Sequence, residues 1–308
     1  MEYGLRFQVL ILILILILIL FCSRDGRDER DQRDGRDKIR IKIKIKIKNG
    51  GQEMHQPNTP VALTIAGSDS GGEAGIQADL KTFACLRVHG ATAITCLTAQ
   101  NPVKISRLEP CPPIMVRAQL EAIAAHFTLA AAKTGMLFSA AIVREAALFF
   151  KRNPGIPLVV DPVMVSTSGR RLLKSDGIEA LKKLLLPLAA IVTPNLPEAE
   201  ILAGEKIRSI EQLRGAARTI YRRFGCAALV KGGHLTGTGE AVDFFHGREG
   251  EWMLSSPRAV NVTLHGTGCT YSAAITAWLA LGRSRIGSVE LAKKYITRRI
   301  YETGRPED

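Results

Sequence analysis

From Val61 onward, short apolar and β-branched runs alternate with longer segments whose apolar positions recur every three to four residues. The short runs suit strands buried in a sheet, and the longer segments suit helices laid against it. Strands are predicted at 61–66, 91–97, 130–134, 158–161, 190–193 and 227–231. Helices are predicted at 74–86, 113–126, 140–152, 176–186, 210–224, 270–281 and 289–301, with a hairpin formed by 241–246 and 251–255. Such alternation builds βαβ units, so the expected class is α/β: a central, mostly parallel sheet with helices on both faces. No stretch rich in Pro, Gly or Ser interrupts residues 54–308, which are expected to form a single domain.

The first 53 residues follow a different pattern. Residues 10–20 alternate Leu and Ile, 24–37 repeat Arg-Asp-x, and 41–48 repeat Ile-Lys. Three unrelated low-complexity tracts in a row read as a disordered tail or as translated upstream sequence from a mis-assigned start, with Met54 as the expected true start. The alternative is a signal or anchor at 9–22. That apolar run is shorter than the roughly 20 residues a spanning helix needs, and it lacks the small residues of a cleavage site.

Composition narrows the function more by exclusion. Hydrophobic residues make up 46% and charged residues 23%, which leaves no room for a collagen-like, wholly disordered or polytopic membrane protein. Net charge is +13; residues 1–53 hold 12 basic and 8 acidic side chains, leaving 30 basic against 21 acidic after them. That excess is spread thinly and aromatics are 6%, so no nucleic-acid or membrane partner is expected, and anionic substrates suit it better. Six cysteines without a C-x-x-C pair, and histidines without H-x-x-x-H spacing, indicate neither a zinc site nor a disulfide framework, and a reducing, cytoplasmic setting follows.

Four turn-bearing segments directly follow predicted strands, where doubly wound sheets open their ligand crevice. They are Gly67-Ser68-Asp69-Ser70-Gly71-Gly72-Glu73-Ala74-Gly75, Thr193-Pro194-Asn195-Leu196-Pro197-Glu198, Lys231-Gly232-Gly233-His234 and His265-Gly266-Thr267-Gly268-Cys269. Neither a P-loop nor a Rossmann glycine pattern is present. Gly266, Thr267 and Gly268 lead into a helix and can aim backbone N–H groups at an anion such as a transferring phosphoryl group, or serve only the turn. Cys269 at that helix start is either a thiol of lowered pKa or an inert packed side chain. Asn195 and Glu198 suit magnesium held through water, or simply a capping box. Lys231 can reach nucleotide phosphates or lie solvated, and Asp161 can bear on a metal or stabilise the turn before Pro162. Asp69 and Glu73 read as exposed turn acids, whereas Asp79 falls on the helix face of Gly75 and Phe83 and is expected to point inward.

Taken in order, these segments resemble the hydroxymethylpyrimidine and phosphomethylpyrimidine kinases of thiamine biosynthesis, members of the ribokinase-like superfamily. The stretches carrying the resemblance are Ala62-Leu63-Thr64-Ile65-Ala66-Gly67-Ser68-Asp69, Ala74-Gly75-Ile76-Gln77-Ala78-Asp79, Leu97-Thr98-Ala99-Gln100-Asn101, Val160-Asp161-Pro162-Val163-Met164, Thr193-Pro194-Asn195, Val230-Lys231-Gly232-Gly233 and Gly266-Thr267-Gly268-Cys269. The resemblance implies a ribokinase-like fold and ATP-dependent, Mg2+-assisted phosphorylation of 4-amino-5-hydroxymethyl-2-methylpyrimidine and then of its monophosphate. It implies that Gln100 reads the pyrimidine edge, with Ala74, Met136, Val163 and Asp79 also on the substrate side. Gly266, Thr267 and Gly268 match the anion hole, and Cys269 stands where sugar kinases place an aspartate base. Lys231, Thr193 and Asn195 match the nucleotide side, and Glu198 and Asp161 the metal. A homodimer is a candidate assembly. Glu73 replaces a usual glycine, Thr167 a frequent lysine and Tyr271 a usual leucine, while Arg170-Arg171 stand where an acid is common. The rivals are a pyridoxal or pyridoxine kinase and a non-catalytic ligand-sensing relative.

Overall fold

The computed structural model of the protein describes residues 59–101, 103–165, 171–233, 235, 239–258 and 266–303. The three N-terminal tracts, Thr167, Arg170, His234 and His265 lie outside the described residues.

Within them, β1 (Val61–Asp69), α1 (Gly75–Cys85), β2 (His89–Gln100), β3 (Ile105–Pro110), α2 (Pro113–His126), β4 (Leu129–Thr134), α3 (Ala140–Arg152) and β5 (Leu158–Val160) make up the first half. α4 (Ser175–Ala180), β6 (Ile191–Val192), α5 (Leu196–Ala203), α6 (Ile210–Phe224), β7 (Ala227–Lys231), β8 (Glu240–Gly247), β9 (Gly250–Pro257), α7 (Thr267–Ala280) and α8 (Arg285–Thr303) follow. The strands form one nine-stranded sheet in the order β3-β2-β1-β4-β5-β6-β7-β8-β9. β2-β1-β4-β5-β6-β7 pair in parallel, and β3, β8 and β9 add antiparallel edges.

The period-two alternation of the strands divides the core between two faces. Leu63, Ala132, Leu158, Val160, Val192, Ala228 and Val230 pack with Val116, Leu120 and Phe150 on the face covered by α2 to α6. Ala62, Ala131, Val159, Ile191, Ala227 and Leu229 pack with Phe83, Ile275 and Val289 beneath α1, α7 and α8. The chain crosses to β2 over one face and to β4 over the other, so the order reverses beside β1, and the strand ends there open a crevice. No described helix is long and apolar enough to cross a membrane.

Helix α5 is additional to the predicted helices and α8 begins four residues early, and three further elements differ from the sequence expectation. β3 is an added edge strand, unrecognised because Ile105-Ser106-Arg107-Leu108-Glu109-Pro110 is half exposed and ends in proline. The helix predicted at 176–186 stops as an α-helix at Ala180, widens over Leu181–Leu185 and tightens over Leu186–Leu188, where Pro187 withholds its N–H. The helix predicted from 270 begins at Thr267, which makes the glycine motif its first turn.

Candidate active site

At the end of β1, Asp69 organises the turn into α1. Expected as an exposed acid, it is 4% exposed and accepts the N–H groups of Gly71 at 2.9 Å, Glu73 at 3.1 Å and Ala74 at 2.8 Å. One short carboxylate thereby satisfies three donors that a tight turn leaves without backbone partners. Gln77 on α1 ties the turn back to β1, accepting the Asp69 N–H at 2.8 Å and donating to Ser68 Oγ at 2.8 Å.

The start of α7 lies against this turn. Gly266 has φ +76°, and a Cβ there would sit 1.9 Å from the Glu73 carbonyl oxygen, so only glycine fits. The Thr270 N–H bonds back to Gly266 O at 2.9 Å. The N–H groups of Thr267, Gly268 and Cys269 come before it and have no acceptor within the helix. Three donors without helical acceptors at the positive end of a 14-residue helix are chemically suited to receive an anion. Lys231 flanks them: a Cβ on Gly268 would lie 3.4 Å from Lys231 Nζ.

Of the two readings of Cys269, a thiol of lowered pKa and a packed side chain, the first does not hold. Burial pushes its thiol up to about 11; Lys133 opposes the shift, while Asp161 and Asp79 reinforce it. The helix dipole does not overcome removal from water. The resting side chain is a protonated thiol.

Asp161, at the end of β5, accepts from Ser272 Oγ at 3.2 Å and Lys231 Nζ at 3.3 Å, with a longer contact from Thr193 Oγ1 at 3.5 Å. Glu198 is also buried, and with Asn195 it completes a capping box at the start of α5. Asn195 Oδ1 accepts the Glu198 N–H at 3.0 Å, while Glu198 accepts the N–H groups of Asn195 at 3.0 Å and Met164 at 3.2 Å. The local reading of this pair therefore accounts for every hydrogen bond found between them. Burial nevertheless raises Glu198 to about 7, with Lys231 lowering it and Asp161 raising it. For Lys231, burial alone would push the ammonium down, but Asp161 and Glu198 outweigh it and the net shift is upward.

Two buried carboxylates thus share one ammonium. No group of three or more His, Cys, Asp or Glu suited to a metal is found among the described residues. The pair still fits magnesium, which is commonly held by one or two carboxylates together with water and substrate phosphates.

Of the residues expected to line the substrate, Gln100 is half-buried at the end of β2, its backbone N–H and C=O both bonded to Ser70 Oγ at 2.8 Å and its Oε1 3.4 Å from Thr98 Oγ1. Met136 lies over the β1 exit, since a Cβ on Gly67 would fall 2.7 Å from its Cε. Ala74 caps α1 beside Gly266, and half-buried Val163 follows Asp161. Asp79 does not belong with them. It is fully buried, with Oδ1 2.6 Å from Lys133 Nζ and Oδ2 accepting Thr64 Oγ1 at 2.6 Å, so neither oxygen is left for a substrate. Its inward orientation follows the helix face; its role is internal.

Residues 69–307 match the family described as phosphomethylpyrimidine kinase. The chain belongs to that family. It is 44% identical over 246 residues to the hydroxymethylpyrimidine/phosphomethylpyrimidine kinase of Synechococcus elongatus, covering 78% of this chain and 91% of the relative. The crystal structure of phosphomethylpyrimidine kinase from Clostridium difficile superposes with a TM-score of 0.70 at 41% identity, covering 79% of this chain and all of the other. Staphylococcus aureus pyridoxal kinase, in complex with AMP-PCP and pyridoxal, gives 0.73 at 35%, covering 82% and 91%. The fold is ribokinase-like and the protein is a kinase.

Within the family frame, two departures resolve structurally. Glu73 is exposed and contributes its backbone to the Gly266 contact, whereas Tyr271 is buried on α7. Sequence reasoning missed Lys133 and Ser272. Lys133 had a usable signal, a lone charge within the apolar predicted strand 130–134. Ser272 had none, because a serine in a helix of small residues announces no partner.

Proposed function

We propose that this chain transfers the γ-phosphoryl group of ATP to the hydroxymethyl oxygen of 4-amino-5-hydroxymethyl-2-methylpyrimidine, and then phosphorylates the monophosphate to the diphosphate in thiamine biosynthesis. The observation carrying this reading is the set of Thr267, Gly268 and Cys269 N–H groups, without helical acceptors and flanked by the Lys231 ammonium. Fixed donors and a cation suit a transition state whose charge is spread over phosphoryl oxygens.

The donor phosphates lie toward Lys231, and the acceptor ring lies between Gln100 and Met136, its hydroxymethyl group directed at the cradle. The acceptor oxygen forms a bond to phosphorus as the bond to the ADP oxygen breaks. The hydroxyl proton departs late, to a phosphoryl oxygen or water, because a loose transition state asks little of a base. Asp161 and Glu198 would hold magnesium, which when bound neutralises phosphate charge. Lys231 keeps its charge beside them, Ser272 and Thr193 fix Asp161, and Gln100 discriminates the ring edge by paired polar groups. Five free cysteines among the described residues suit a reducing compartment, and we place the enzyme in the cytoplasm.

Coupled ADP release with the pyrimidine alcohol, its monophosphate and pyridoxal offered separately tests the assignment. Turnover of both pyrimidines, at a kcat/KM well above that for pyridoxal, is expected. A preference for pyridoxal would replace this reading with the pyridoxal kinase one.

A further inference from the structure

Behind the turn that ends β7 lies a buried polar cluster with no part in the scheme above. Asp243 on β8 stands opposite Lys231 in the antiparallel register. Its Oδ1 accepts the Gly232 N–H at 3.1 Å, and its Oδ2 lies 2.8 Å from Lys293 Nζ on α8. Lys293 also donates to the Ala241 carbonyl at 3.0 Å. Both charged side chains are buried. The Tyr271 hydroxyl is buried beside the same carboxylate, and burial, then the Asp243 charge, hold it well above the usual phenol range. Gly232 is pressed against β8 so closely that a Cβ would lie 2.3 Å from Val242 O.

A buried ion pair is weak evidence for stability, since apolar side chains of similar volume often serve as well. Its geometric output here is specific. Asp243 holds the first backbone N–H after Lys231, and the Lys293 ammonium at 2.8 Å fixes the other carboxylate oxygen, so that the carboxylate stays pointed at it. We propose that Asp243, held by Lys293, is a positioning residue that fixes the Lys231–Gly232 turn and thereby sets affinity for the nucleoside triphosphate. This rests on the nucleotide-side reading of Lys231. Asp243 touches no reacting atom, so its effect belongs to ATP binding and not to the pyrimidine.

The test uses the full chain in two charge-neutral double variants. In Asp243→Asn/Lys293→Met an acceptor for Gly232 survives; in Asp243→Leu/Lys293→Met it is gone. Should the leucine variant fail to fold, Asp243→Ser/Lys293→Met replaces it, because its hydroxyl is too short to reach Gly232. ATP affinity is measured by calorimetry without acceptor substrate, and both KM values by ADP release. The asparagine variant should bind ATP within about threefold of wild type. The variant lacking the acceptor should bind roughly five- to a hundredfold more weakly, the range expected for an unpaired buried donor, with the pyrimidine KM unchanged. Equal ATP affinities in the two doubles, or a pyrimidine KM that rises as much as that for ATP, would overturn the inference. A wild type that binds ATP but prefers pyridoxal would sink the proposed reaction while leaving this result interpretable.

Discussion

Where α7 begins, Gly266 touches the Glu73 backbone, and the groups aimed at a ligand are uncharged N–H donors. On the flank that Lys231 occupies, two buried carboxylates, Asp161 and Glu198, both act on the Lys231 ammonium. The first region is made of backbone, so its field cannot titrate, but it tolerates no added atom at Gly266. The second is made of side chains, so it responds to pH and to cations and accepts substitution at a graded cost. The proposed phosphoryl transfer would use both properties: a rigid cradle where charge moves, and an adjustable one where a nucleotide must bind and leave.

Breaking the rigid side should have the largest effect. Gly266→Ala forces a Cβ into the Glu73 carbonyl and shifts all three donors together, so kcat/KM should fall by at least about 10³, compared with the 10²–10³ typical of losing one donor. ADP-release kinetics alongside thermal melting separate this from unfolding; a folded variant above a tenth of wild-type activity would contradict a backbone-built cradle.

A third set of charges is sealed inside the fold, away from any ligand. Thr64, Asp79 and Lys133 form a fully buried triad linking β1, α1 and β4. Lys133→Met leaves the Asp79 carboxylate without its cation and should cost about 3–5 kcal/mol in urea unfolding, whereas Lys133→Met/Asp79→Leu should recover most of it. No recovery in the double variant would show that the pair supports more than itself.

Gln100→Leu tests substrate reading at the open end of β2. Removing a donor and an acceptor from a polar ring edge costs on the order of 1–3 kcal/mol, or roughly ten- to a hundredfold in kcat/KM for the pyrimidine. An unchanged value would remove Gln100 from recognition.

The adjustable side should reveal itself through pH. Glu198 is raised from 4.5 to about 7, so the folded chain holds a proton there that the unfolded chain has released. Its contribution to stability is therefore complete below pH 4.5 and is lost as pH rises toward 7. Glu198→Gln should flatten that decline in the nucleotide-free protein by on the order of 1–3 kcal/mol. If the melting curves of variant and parent kept the same pH slope, burial would not be raising Glu198 in the folded chain.

The same contrast explains what could be read from the sequence. Gly266-Thr267-Gly268 is legible because a backbone site must be written in residues that permit it. Strands and the two-faced core are legible because Leu158-Val159-Val160 and Ala227-Ala228-Leu229-Val230 have no polar alternative. A charge-built site is written in residues that also cap, turn and solvate. Glu198 does form its capping box, and Asp69 was mistaken for an exposed acid because its three backbone partners arise only once the turn closes. The helix face turns Asp79 inward, but its partner Lys133 is 54 residues away in the sequence and meets it only where α1 packs on β4, so the internal pair leaves no local signal.

Cys269 sits on the border between the two regions, and the smallest effect is expected there. A base role requires the thiolate, yet burial holds the thiol near 11, leaving roughly 10⁻³ to 10⁻⁴ of it ionised between pH 7 and 8. Were that fraction the active form, kcat would climb about tenfold per pH unit through this range, and Cys269→Ala would lose the 10²–10⁴ typical of a missing general base. The structure favours the other outcome. Its backbone N–H stays in the cradle whatever side chain is present, and the late proton departure of a loose transition state needs no fixed acceptor. Cys269→Ala and Cys269→Ser should therefore both keep kcat within about tenfold of the parent, with a flat profile from pH 7 to 9. The raised thiol also predicts that folding stability, from this group, is intact below pH 9 and declines as pH rises toward 11. A hundredfold loss in the alanine variant, or a kcat that rises steeply with pH only when Cys269 is present, would return this residue to the chemistry.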